Sequence, residues 1–299
     1  MVRWEAVKIR FGVGLGRGTS PAELPGIVDR LEAAGVDSLW LSELVYTSQV
    51  DPFVGMAHAL ARTSRLKVGT GVSILPGRHP ALVAKQLASL AALAPKRVLP
   101  VFGLAPANPA ERELFPAPDG RRGDVFDEAL TLLRALLEQP SVDFAGEFHS
   151  VRSASIGPRP DPPLDIWLGG SAPAALRRVG RLADGWLGSF LTPAEAGRAR
   201  ETIQAAAAAA GREIEADHYG ISLSVGTGEI APEVAAAARA RRPDADPTHL
   251  VATSWPALHR LLDGHVEAGL TKFVIRPAGP QPFEAFLERF VSELGPREN

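Results

Sequence analysis

Eight short β-rich runs alternate with eight helical stretches almost from end to end of this 299-residue chain, and that order constrains its fold more than any other feature. The runs are Lys8–Gly14, Asp37–Ser42, Leu66–Leu75, Arg97–Leu104, Leu164–Leu168, Gly185–Phe190, His218–Val225 and Thr271–Arg276. Several are continuously apolar, as strands covered on both faces must be. The stretches between them are Pro21–Ala34, Pro52–Arg62, Pro80–Ala94, Val125–Leu137, Pro173–Leu182, Pro193–Ala210, Pro256–Ala268 and Pro282–Leu294. Seven of the eight open with proline, which loses nothing in a first helical turn whose N–H groups have no partner. Ala34-Gly35, Ala210-Gly211 and Ala268-Gly269 end three of them with the glycine that accepts a left-handed cap. Eight β-then-α units predict an α/β fold, a (β/α)8 TIM barrel in one domain over residues 1–299. An open doubly wound sheet is the competing arrangement. Three connections exceed ordinary loop length. They predict insertions after strand four (Ala105–Asp124), before strand five (Gln139–Pro163, with a small hairpin over Val142–His149) and after strand seven (Gly226–Thr248).

A parallel barrel builds its site where the strands end, so the candidate residues are those at strand C-termini. The strand Asp165–Leu168 runs into Gly169, Gly170 and Ser171 before a helix opening at Pro173. Glycines admit close backbone approach, and a helix N-terminus offers free N–H groups and a positive dipole end, which suits a phosphate. An ordinary tight turn with a capping serine is the alternative. In Val68–Leu75, Gly69 and Gly71 sit inside a strand, where glycine marks a bulge or a ligand close to the backbone. Arg78-His79-Pro80 follows; His79 is either a proton donor or a structural hydrogen-bonding group. Glu43 closes strand two, as a proton-transfer group or a solvated carboxylate. Arg276 closes strand eight and is placed to fix an anionic group. Arg10–Gly18 is glycine-rich, but its spacing misses G-x-G-x-x-G, so a dinucleotide fingerprint is absent.

Other chemistries are excluded by what is missing. The chain has no cysteine, so thiolate metal sites, disulfides and a Cys nucleophile fall away. Its seven histidines form neither H-x-H nor H-E-x-x-H, and no metal is expected. No G-x-S-x-G elbow supports a serine hydrolase. Lys67 and Lys272 stand at strand entrances, the wrong end for a Schiff-base lysine. A net charge of −2 gives no reason to expect nucleic acid or an anionic membrane as partner. Met1–Ala6 lacks an apolar signal region, and no run approaches the roughly 18 apolar residues of a membrane span. A cytoplasmic protein acting on a small molecule is the expectation.

Taken in order, the landmarks resemble the luciferase-like monooxygenase family. They are Ala34–Trp40, Leu66–Val72, Arg78-His79-Pro80 with Ala84-Lys85-Gln86, Asp127–Leu130, Pro163–Ser171, Arg177-Arg178-Val179 and Ala183–Trp186. Within the family the chain most resembles the actinobacterial branch of oxidoreductases dependent on coenzyme F-420, an 8-hydroxy-5-deazaflavin. The resemblance implies a cofactor ring at the C-terminal mouth, backed by a non-proline cis peptide in a bulge that Gly71-Val72 matches. It also implies phosphate binding by Gly169, Gly170 and Ser171, with Thr192 after the next strand. Glu43 falls where many relatives carry an active-site aspartate. The implied activity is hydride transfer between the deazaflavin and a small organic substrate. The alternatives are an FMN-dependent monooxygenase served by a separate reductase, and a flavin-binding barrel without turnover. A homodimer is an open expectation. Two departures stand out. Relatives carry histidine after the acid where this chain has Leu44. They also close strand four with G-x-G-x-G, where Pro100 and Phe102 stand on glycine positions. Phe102 is therefore expected to face the mouth, narrow it and touch substrate; the alternative is that it points outward and packs under the neighbouring helices.

Overall fold

The computed structural model describes residues 8–16, 18–228, 230, 232–279 and 281–299, with only the backbone at Glu233. The Met1–Ala6 segment lies outside the described residues, as do Arg17 of the glycine-rich run and Glu229 and Ala231 of the third insertion. Eight parallel staves close on themselves. They are β1 (Arg10–Gly14), β2 (Ser38–Leu41), β3 (Lys67–Thr70) resumed as β4 (Ser73–Ile74), β5 (Val98–Leu99) resumed as β6 (Val101–Gly103), and, past the insertion before stave five, β9 (Trp167–Gly169), β10 (Gly185–Ser189), β11 (Tyr219–Val225) and β12 (Lys272–Pro277). Each pairs in parallel with its sequence neighbour, and β12 pairs back onto β1, which excludes the open sheet.

Two adjacent staves are broken at one level. The Gly71-Val72 peptide bond is cis and separates β3 from β4. Pro100, which has no N–H to give a ladder, separates β5 from β6. The Thr70 hydroxyl splices the break: it donates to the Val101 carbonyl (2.7 Å) and accepts from the Val101 N–H (2.8 Å).

Strand periodicity sorts the side chains into two cores. Inside the barrel, Trp40, Val101, Trp167, Leu187 and Val274 form one cluster. The two tryptophans fit because their neighbours are glycine. A β-carbon on Gly12 would fall 2.4 Å from Trp40 Nε1, and one on Gly185 2.2 Å from Trp167 Cε2. Outside, alternate residues such as Phe11, Val68, Phe102, Leu168 and Trp186 pack beneath the helices. Those helices are α1 (Leu24–Ala33), α2 (Pro52–Arg62), α3 (Pro80–Leu93), α4 (Arg122–Glu138), α5 (Pro173–Leu182), α6 (Pro193–Ala209), α7 (Pro232–Arg241), α8 (Trp255–Glu267) and α9 (Phe283–Leu294). On α1 the buried Leu24, Ile27, Val28 and Leu31 recur at helical spacing, each worth roughly 1.5–3 kcal/mol when fully buried. The glycines expected to cap α1, α6 and α8 all take positive φ (71°, 66° and 88°).

The insertions lie where the connections were too long. A 3-10 turn at Pro109–Leu114 fills the first, and an antiparallel hairpin of β7 (Val142–Ala145) and β8 (Ser150–Ala154) fills the second. The second hairpin strand thus begins just beyond the expected span. The third contains α7, which the sequence reading left as a connection.

Candidate active site

The barrel opens where its inward residues become small. Above the tryptophan layer the staves present Gly71, Gly103, Gly169, Ser189, Ser222 and Ser224, and a cavity of about 1770 Å³ occupies this C-terminal mouth. Arg276 enters it from β12. Its guanidinium lies where a β-carbon on Gly14 would be (2.6 Å from Cζ), so the glycine of β1 makes room for it. It donates to the Ser222 hydroxyl (3.0 Å) and to the carbonyls of Gly71 (3.3 Å) and Leu15 (3.4 Å). All three acceptors are neutral. No ion pair reaches Arg276 among the described residues, whereas Arg30, Arg178 and Arg242 of the same cavity wall are paired with Glu284, Asp127 and Glu195. Burial lowers the Arg276 pKa to about 10, still well above neutral pH. The floor therefore carries a positive charge without an internal counter-charge.

Val72 lies beside the arginine and leans across the mouth. Its methyl groups occupy the space that β-carbons on Gly103 (2.7 Å) and Gly169 (3.0 Å) would claim. Further round, Gly169, Gly170 and Ser171 form the rim. Gly170 has φ 110°, a left-handed conformation that favours glycine, and its carbonyl accepts from the Trp186 indole (2.8 Å). Helix α5 then starts at Pro173 with no side-chain cap, because its N-cap is Ala172. Helices α1, α4 and α9 also start without one, whereas α2, α3, α6 and α8 are capped by Asp51, His79, Thr192 and Ser254. The first-turn N–H groups of α5 are thus left for solvent or an anion at the cavity rim.

Three expected site residues are placed elsewhere. His79 is exposed, accepts the Ala81 N–H on Nδ1 (3.2 Å) as the cap of α3, and stands edge-on to His149 rather than in the cavity wall. Thr192 is consumed by a capping box with Glu195, its hydroxyl accepting the Glu195 N–H and donating to the carboxylate. Arg242 also grips Glu195 (2.7 Å), which lowers the Glu195 pKa to about 2, so the rim on this side is built by Ser189, Phe190 and Arg242. Phe102 is fully buried on the helix side of β6, a correction to the pocket-facing expectation. Val101 packs inside the barrel and Gly103 opens onto the cavity, so alternation turns Phe102 outward. The mouth is accordingly not narrowed there.

Glu43 does reach the cavity wall, but it is not free. It is 5% exposed, and its carboxylate takes both arms of the Arg78 fork (2.5 and 2.7 Å) and the Ile74 N–H (2.7 Å). Arg78 was a landmark in the sequence without a role, because nothing in a one-dimensional reading pairs it with an acid so far away. Arg178, Arg242 and the inner face of α7 were also missed; each depends on which way a helix faces. Among the described residues, Glu215, Asp217 and His218 lie close together, but at the entrance of β11, the opposite end from the cavity. No helix of the described residues is long and apolar enough to cross a membrane.

This geometry can be set beside known proteins. An uncharacterised protein of Mycobacterium tuberculosis is 38% identical over 174 residues, which cover 58% of this chain and 60% of that protein. An F420-dependent glucose-6-phosphate dehydrogenase of Beutenbergia cavernae is 30% identical over 318 aligned positions, 93% of this chain and 94% of the relative. Among solved structures, an F420-dependent secondary alcohol dehydrogenase in complex with an F420-acetone adduct superposes with a TM-score of 0.85 at 17% identity, over 98% of this chain and all of the other, a likeness of fold. The model of the luciferase-like monooxygenase family matches residues 6–265, and the chain belongs to that family.

Proposed function

We propose that this oxidoreductase binds a deazaflavin of the coenzyme F-420 type in the mouth of the barrel and uses it on a small organic substrate bearing an anionic or strongly polarised oxygen. The observation that carries the reading is the uncapped start of α5 at a glycine rim, on the same cavity as an unpaired guanidinium. The residues fit such a group. Gly71, Gly103 and Gly169 let Arg276 and Val72 lie close against the cavity wall, and Val72 offers a flat ring an apolar contact. Gly169, Gly170, Ser171 and the first-turn amides of α5 would hold its phosphate. When bound, a deazaflavin supplies two-electron redox chemistry without reacting as readily with oxygen as a flavin does. Arg276 orients the substrate oxygen and stabilises negative charge on it, in a cavity where a fixed cation is stronger than in water. Neither Glu43 nor His79 serves as a proton carrier in this reading, since one is locked in an ion pair and the other caps a helix on the surface.

The test is a titration of the purified protein with a deazaflavin and, separately, with FMN, followed by absorbance and tryptophan fluorescence. Saturable uptake of the deazaflavin in preference to FMN is expected. Preference for FMN with reductase-dependent oxygen uptake would replace the proposal with the two-component monooxygenase, and binding of neither would remove it.

A further inference from the structure

Glu43 is the buried acid of the cavity wall among the described residues, yet three hydrogen bonds already occupy its carboxylate. Oε1 accepts from Arg78 Nη2 (2.5 Å), and Oε2 accepts from Arg78 Nη1 (2.7 Å) and from the Ile74 backbone (2.7 Å). The same Nη1 also donates to the Ile74 carbonyl (2.6 Å). Backbone bonds continue the arrangement, with the Glu43 N–H on the Val72 carbonyl (3.3 Å) and the Ser42 hydroxyl on the Gly71 carbonyl (3.1 Å). Four of these six bonds end on the 71–74 segment, and the other two join Glu43 to Arg78. Arg78 itself sits behind the wall, its guanidinium between the rings of Phe53 (6.0 Å) and Phe115 (5.0 Å). Phe115 belongs to the insertion after stave four, and it packs so closely on the turn before Arg78 that a β-carbon on Gly77 would meet its Cα at 2.6 Å.

A bidentate, charge-assisted pair of this kind is stiff as well as strong. Glu43 is buried and the half-buried Arg78 lies beside two aromatic rings, so breaking the pair would leave Glu43 an isolated charge in the wall. The pair is built to hold backbone in place, and it links the end of β2, the 71–74 segment and the stave-four insertion.

We propose that Glu43 and Arg78 form a positioning pair that fixes the 71–74 wall segment against which the cofactor ring rests, Glu43 acting through that backbone and not as a proton carrier. The role at the ring rests on the proposed function; the hold on residues 71–74 does not. Two arms of one experiment keep them apart. In the protein without cofactor, hydrogen exchange is followed by NMR in the wild type, Glu43→Gln, Arg78→Met and the milder Arg78→Lys. Each variant should speed exchange of the Ile74 amide at least tenfold while amides of β10 and β11 keep wild-type protection. In the cofactor arm, Glu43→Gln and Arg78→Met should each weaken deazaflavin binding about tenfold, and the double variant no more than the worse single one, since one pair is lost in all three. At saturating cofactor, kcat should stay within about threefold and its pH profile should keep both limbs. A Glu43→Gln enzyme that binds cofactor normally but loses kcat more than a hundredfold, along with one pH limb, would overturn the proposal. So would wild-type exchange at Ile74 in a folded Arg78→Lys. If the wild type binds no cofactor, the proposed function falls, and the exchange arm still decides the pair.

Discussion

Replacing Arg276 by methionine should make the ligand-free protein more stable, the opposite of what losing three hydrogen bonds suggests. The guanidinium has only neutral partners, and burial brings its pKa well below the ordinary guanidinium value, to about 10. A base whose folded pKa is lowered destabilises the native state at every pH below that value, and the deficit disappears as pH rises above about 10 towards the pKa of the unfolded chain. At about 1.4 kcal/mol per pH unit the ceiling is ~3 kcal/mol; water in the open cavity screens the charge and reduces the expected gain to ~1–2 kcal/mol. Methionine keeps most of the stem volume, so little packing is lost. Urea unfolding at pH 7.5, followed by tryptophan fluorescence, should show a higher midpoint with an unchanged slope. In parallel, stabilisation of the wild type by benzoate should be lost in the variant. An Arg276→Met protein less stable than the wild type would refute the reasoning, because Arg276 would then brace the barrel through Ser222, Leu15 and Gly71 and would not await an anion.

His265 is fully buried, neither ring nitrogen has a partner among the described residues, and burial lowers its pKa from 6.5 to about 4. Stability should therefore be intact above pH 6.5 and fall by up to ~3 kcal/mol as pH drops to 4, with His265→Leu flattening that slope in urea titrations; parallel curves would rule this out. Phe102→Ala should cost ~3–5 kcal/mol in stability while leaving cofactor and substrate preference as they are, and a changed preference at full stability would return Phe102 to the pocket. Gly170→Asp should weaken cofactor binding at least tenfold by adding a negative charge at the rim. Gly170→Ala, which shares the strain of φ 110° without the charge, should lose less; equal losses would assign the effect to backbone and not to an anion.

Local chemistry carried most of the fold into the sequence. The β/α alternation, the proline-first helices, the glycine caps and the glycines of stave three are all rules spanning a few residues, and the structure keeps them. Where the reading failed, the deciding contact was distant or the register was finer than the pattern. Phe102 was misplaced because a one-residue shift reverses a strand residue's facing, and nothing around Pro100 announced which face was inner. His79 and Glu43 needed their partners, Ala81 in the first turn of a helix and Arg78 across a wall, before their roles could be seen. Thr192 was different. Thr192-Pro193-Ala194-Glu195 is a readable capping box, and giving that rule precedence over the resemblance would have assigned the hydroxyl correctly. The uncapped α5 was also legible in part, since Ala172 offers no oxygen to its own helix.

The third insertion leaves β11 and returns to it. Gly226 and Ala252 bond across its neck (2.8 Å), and Ala252 also donates to the Ser224 carbonyl (2.9 Å). Ala238, Leu250 and Val251 of the insertion, with Val234 against them, form a small core with Ala278 and Phe190 from the ends of β12 and β10, separate from both barrel cores. Its inner face gives the cavity Val234, Ala237 and Ala240. A side of the cavity is thus carried by a unit whose packing shares few atoms with the scaffold, so substitutions there add nearly independently to those in the barrel. Lineages can redraw this face without renegotiating the tryptophan layer or the glycine rim, and related proteins that share the barrel should diverge in sequence fastest between residues 226 and 252.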